Sequence, residues 1–196
     1  MHAARRALTA VTTAAAVVVV GACGSDEADG VVPLETAAAP ATSPSASTDS
    51  VEQEHVDEAL ALVTAYYDDL NELGRGGYAE GMRMRGYWSN SEAWQGKEAT
   101  YAQRHEDGWR LEGGTEIVST EVVEYVPDPT GEGYEQVRVD VCGDVSSSRM
   151  VDGDGAELER ADDVPDRYIT QYLIAHQGPL DRWAIAELDA EVDRTC

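Results

Sequence analysis

The chain carries 38 Asp and Glu against 14 Lys and Arg in 196 residues, a formal charge of −24 at pH 7. A surface of that sign repels phosphate backbones and anionic lipid headgroups at close range, so nucleic-acid binding is disfavoured as a function. The three cysteines, Cys23, Cys142 and Cys196, are an odd number, which in an exported protein asks for an explanation.

Residues 1–22 read as an export signal. Arg5 and Arg6 give a positive start, and the uncharged apolar stretch Ala7 to Val20 follows. At about 14 residues that stretch is shorter than the roughly 20 needed to span a bilayer, and it fits a signal core instead. Val20-Gly21-Ala22-Cys23 then resembles the lipobox of bacterial lipoproteins, an aliphatic residue and two small ones before a cysteine. In that family the thiol receives a diacylglycerol and the leader is cut just before it. The resemblance makes Cys23 a lipid anchor and places the protein on the extracytoplasmic face of the cell membrane. A cysteine with two or three acyl chains holds permanently, where a single chain binds only marginally. The alternative is an ordinary secretory signal with Cys23 a bystander.

Residues 23–50 carry the lipidated Cys and then a tether. "ETAAAPATSPSASTDS" holds no large apolar residue, so it cannot offset the entropy of ordering and is expected to be disordered. As a flexible coil it reaches roughly 30 Å, enough to lift a domain off the lipid. Residues 51–196 show no internal repeat and no second linker, and are expected to form a single domain.

The first element of that domain is the clearest. Val56, Ala59, Leu60, Val63, Tyr66, Tyr67, Leu70 and Leu73 recur at three- and four-residue steps, predicting an amphipathic helix of about five turns that stops at Gly74. Residues 75–113 are rich in Gly and Trp. A second helix is predicted over about 96–107, with a short helical piece before it. Lys97 within it, the sole lysine beside 13 arginines, reads as compositional bias.

After Gly114 the period changes to two. "TEIVSTEVVEYV" predicts a strand, "PDPTGEG" a turn, and "YEQVRVDVCGDVSSSRMV" the return strand. "DGDG" is a tight turn, and "RYITQYLIAHQ", "GPLD" and "RWAIAELDAEV" form a further hairpin. Helices followed by an antiparallel meander mean an α+β fold, with one sheet face packed on the long helix.

The helix "ALALVTAYYDDLNEL", the segment "EDGWRLEGG" before the first long strand and the final "DRWAIAELDAEV" resemble the nuclear transport factor 2-like superfamily. "VRVDVCGDVSSSRMVDGDG" together with a cysteine at the C-terminus is similar to secreted actinobacterial lipoproteins on that fold. The resemblance implies helices wrapped on a curved antiparallel sheet to make a cone, with homodimers formed through the sheets. A cystatin-like sheet on one helix is the rival architecture.

With Cys23 lipidated, Cys142 and Cys196 are left to pair in an oxidising exterior. Closing that loop of about 55 residues stabilises by roughly 4 kcal/mol in the chain-entropy model and pins a tail that otherwise frays.

No chemistry stands out. His55, His105 and His176 have no metal-ligand spacing, with His105 read as a surface helix residue and His176 as exposed at a strand end. Asp152 and Asp154 begin like a calcium loop, but Ala156 stands where a ligand is needed, and a β-turn explains the segment. No nucleophile elbow or phosphate loop is present, so no catalytic, cofactor or metal residue is predicted. The resemblance leaves two readings. One is a noncatalytic envelope protein whose cone binds a small apolar ligand or a protein partner. The other is a small isomerase or cyclase using a pocket carboxylate and a tyrosine, for which Tyr66, Tyr67 and Asp140 are the candidates. Asp140, however, alternates with Val139 and Val141, whose shared face is the better core.

Overall fold

A computed structural model describes residues 48–196 apart from 129, 131 and 133; the export signal, Cys23 and most of the expected tether lie outside the described residues. Helix α1 spans Thr48–Arg75, a 3-10 helix η1 spans Gly81–Tyr87, and α2 spans Ser91–Glu106. Strands β1 (Arg110–Glu112), β2 (Glu116–Val126), β3 (Gln136–Asp144), β4 (Arg149–Val151), β5 (Arg167–Gln177) and β6 (Arg182–Glu191) follow. The main antiparallel sheet has the order β2-β3-β5-β6, and β1 pairs with β4 as a separate two-stranded ribbon. The α+β expectation holds, with helices on one face of an antiparallel sheet. No helix among the described residues is long and apolar enough to cross a membrane.

The predicted stripe of α1 is its buried face: Ala59, Val63, Tyr66, Tyr67 and Leu73 all enter the core. The helix differs from expectation at both ends. It begins at Thr48, inside the expected tether. Nor does Gly74 stop it. Leu111 Cβ sits 2.8 Å from where a Cβ on Gly74 would stand, so Gly74 is a packing glycine. The stop is Gly77, at φ +69°. Tyr78 N–H donates to the Leu73 carbonyl and Gly77 N–H to that of Gly74, both at 3.0 Å, the two bonds of a Schellman ending.

Helix α2 starts five residues before its predicted position, because Asn90 caps it by accepting from the Ala93 N–H at 2.8 Å. The segment before it is stitched to β6 by a parallel bridge between Trp88 and Ile185 and by Ser89 N–H donating to the Ile185 carbonyl at 2.9 Å. The long return strand predicted from Tyr134 to Val151 is in fact two strands. Val145 to Ser148 turn the chain out of the main sheet, and Arg149–Val151 pair with Arg110–Glu112 instead.

On the helix side, Val137, Val139 and Val141 of β3 and Ile174 and Ile185 of β5 and β6 have no exposed surface. Register shifts interrupt β2 between Ile117 and Ser119 and between Val122 and Glu124, and the β5–β6 pair at Leu173/Ile174. Such bulges bend strands and strengthen their twist. Cys142 lies on the opposite face of β3 from the valines, and its sulfur is bonded to that of Cys196, with Cα atoms 5.9 Å apart. The tail is fixed further where Ile169 N–H donates to the Arg194 carbonyl and the Arg194 guanidinium to Asp140, at 2.9 and 2.7 Å.

Candidate functional site

The helix side of the sheet does not close everywhere on α1 and α2. Between them lies a cavity of about 360 Å³, floored by Gly143, Tyr168, Thr170, Tyr172, Leu188 and Ala190 of the sheet. Tyr66, Tyr67 and Leu70 of α1 form one wall, and Lys97, Thr100, Tyr101 and Arg104 of α2 the other. Leu70, Arg104, Thr115 and Tyr168 also line an outer cleft of about 820 Å³, so the two spaces adjoin. The β1–β4 ribbon and residues 157–166 flank that outer cleft.

Five tyrosines surround the inner cavity. Tyr66 makes edge contacts with Tyr67, Tyr87, Trp88 and Tyr172 at ring separations of 5.5 to 6.2 Å. This aromatic packing fixes the wall. Burial pushes the phenols of Tyr66, Tyr67, Tyr101 and Tyr172 above their ordinary range. They stay protonated at neutral pH and can present O–H groups. The hydroxyls of Tyr66 and Tyr101 stand 3.5 Å apart.

Two cations share the wall. Lys97 holds its ammonium 5.8 Å from the Trp88 ring centroid, and the Arg104 guanidinium lies 5.2 Å from the Tyr78 centroid and donates to the Tyr78 hydroxyl at 3.2 Å. Burial first, and then the charge of Arg104, lower the pKa of Lys97. Among the described residues no Asp or Glu lines this cavity, and neither cation has an ion-pair partner. In a chain with 38 acidic residues that is the reverse of the average surface.

Sequence reading missed Lys97 and Arg104. The signal was present: Trp94, Lys97, Tyr101 and Arg104 follow the spacing of one helix face. Lys97, taken as compositional bias, sits on the inner face of α2.

Among solved structures the chain is similar to the intermembrane space region of the chloroplast protein ARC6, with a TM-score of 0.44 and 13% identity over 75% of this chain and 98% of that one. A likeness of that degree carries no argument about family or function. Neither a family model nor a curated protein matches the sequence.

The candidates for acid–base chemistry are not brought together. Tyr66 and Tyr67 line the cavity, but Asp140 is on the far face of β3, bonded to Gln171 at 2.9 Å and Arg194 at 2.7 Å. Burial pushes its carboxyl up, but those two hydrogen bonds and the charges of Arg194 and Arg138 outweigh it and hold the pKa below the ordinary value. A separate polar cluster occupies the opposite end of the strands. There Glu135 accepts from the Tyr125 hydroxyl, contacts His55 Nδ1 at 2.6 Å, and its carbonyl accepts from His176 N–H at 2.9 Å. Nearby, Trp183 Nε1 donates to Glu58 at 3.0 Å. These bonds clasp the start of α1 to the sheet, and His176 is half-buried against Trp183 at 5.2 Å, not exposed. His105 is exposed, its Nδ1 2.9 Å from the Gly77 carbonyl. Asp152 accepts from the N–H groups of Asp154 and Ala156 in a turn.

Proposed function

We propose that this is a lipid-anchored envelope protein that binds a small ligand, without catalysis, in the cavity between its helices and its sheet. The observation that carries the reading is the cavity itself: a tyrosine-walled space of about 360 Å³ adjoining a wider cleft, within the size of ordinary ligand sites. The nuclear transport factor 2-like cone supplies the frame in this reading, with the leader and Cys23 supplying the address. An isomerase or cyclase of the kind considered above needs a carboxylate in an apolar pocket to act as base. Among the described residues the cavity lining contains none, and Asp140 faces away. The binding reading therefore stands ahead.

Two measurements test it. The fluorescence of N-phenyl-1-naphthylamine, a neutral apolar probe, should rise and saturate on adding the mature chain. Thr100→Trp or Ala190→Trp, both at the exposed rim of the cavity, should reduce that signal at least about tenfold in affinity while leaving the fold intact. No saturable signal, or full binding in both plugged variants, would overturn the cavity as a ligand site. For the address, Cys23→Ala should release the protein from the membrane fraction of its expressing cell. Continued retention would remove the anchor.

A further inference from the structure

Resting on the cavity as a ligand site, we propose that its ligand is a small organic acid: a flat apolar body packed among the tyrosines, with one carboxylate held by Lys97 and Arg104. The two cations lie seven residues apart on α2, two turns and about 10 Å along the axis, on the same inward face. The field of Arg104 reaches Lys97 and also the hydroxyls of Tyr66 and Tyr101. An anionic head placed there meets two positive charges and two O–H groups held 3.5 Å apart.

Among the described residues no carboxylate pairs with either cation. Arg160, on the outer cleft, is consumed by Asp166 at 2.9 Å and by the Val145 and Ser148 carbonyls at 2.6 and 2.8 Å. Among the described residues Lys97 faces the Trp88 ring, and Arg104 the ring and hydroxyl of Tyr78. Lys97 is half-buried beside a like charge, and burial first, then the charge of Arg104, lower its pKa. A bound carboxylate supplies the missing charge. The aromatic wall favours a ring over a flexible tail, because edge-to-face contacts add to the area buried.

Three naphthalenes of matched shape provide the test: 2-naphthoate, 2-naphthalenemethanol and 2-naphthylmethylamine, titrated into the mature chain by calorimetry. The strongly negative net charge of the chain attracts the amine and repels the acid, so a preference for the acid must arise inside the cavity. The expected result is that 2-naphthoate binds at least about tenfold more tightly than either analogue. Lys97→Met and Arg104→Met each remove that preference, and Lys97→Arg restores most of it. Thr100→Trp weakens binding of the acid at least about tenfold with both cations still in place, which separates the cavity from the surface. Circular dichroism of each variant checks the fold. Equal affinity for the acid and the alcohol, or a preference for the amine, overturns the carboxylate and leaves the cavity as a site for neutral ligands. Binding of N-phenyl-1-naphthylamine with none of the three also overturns it. Should neither that probe nor any naphthalene bind, the ligand-site reading falls first and takes this one with it.

Discussion

At Lys97 the chain gives up stability for charge. The lowered pKa means that the folded state disfavours the ammonium. The penalty is fully present below the folded pKa, shrinks as pH rises towards the unfolded value, and vanishes above it. Lys97→Met should therefore raise Tm at pH 7, by about 2–4 °C if the change is worth about 1 kcal/mol, and by progressively less towards alkaline pH. A variant less stable than the parent at pH 7 would show that the lysine stem packs more usefully than its charge costs. Asp140 has the opposite sign. Its depressed pKa contributes stability above the ordinary carboxylate range, lost as pH falls through the folded value. Arg194→Ala should lower stability only modestly at pH 7, because the arginine is half exposed and water screens the pair. In acid-denaturation curves the gap from the parent should close as Asp140 protonates.

Among the elements, α1 and the two hairpin strands of the C-terminal half were legible because each carries one clean period. The stripe of α1 is apolar throughout, and β3 alternates Val137, Val139 and Val141 with residues of the outer face. Helix α2 was blurred for a physical reason. Its inner face places Lys97 and Arg104 beside Trp94 and Tyr101, so the residues that build the candidate site break the apolar stripe that would reveal the helix. The β1–β4 ribbon was hidden because three-residue strands carry no period, and the break after Asp144 depends on a contact distant in sequence. Gly113, at φ +77°, makes that contact: a Cβ there would stand 2.0 Å from the Ser147 carbonyl oxygen. Gly113→Ala should destabilise by at least about 3 kcal/mol in urea unfolding. Gly96, inside α2 with nothing within 4 Å of an added Cβ, supplies the contrast. There alanine should stabilise by about 0.5–1 kcal/mol through helix propensity alone.

For the whole domain, the sulfur bridge and the Arg194 contacts fasten the tail to the outer face of the sheet, leaving the helix side to the cavity. Replacing Cys142 and Cys196 together by serine should lower unfolding free energy by about 2–4 kcal/mol without changing the fold. An equal midpoint in denaturant for parent and variant would contradict the bridge as a stabilising element. The pairing was legible from cysteine parity; the tyrosine-walled cavity was not, since it arises from two helices and three strands that meet only in the folded chain.

The binding account converges on one ammonium group. Because Lys97 is the sole lysine of the chain, protein labelled with ε-13C-lysine gives a single side-chain resonance in NMR. Titration with 2-naphthoate should move that resonance saturably and raise the pKa read from it, while 2-naphthalenemethanol leaves the pKa unchanged. A resonance that stays in place while the acid binds would contradict the cavity's cationic wall as the seat of recognition.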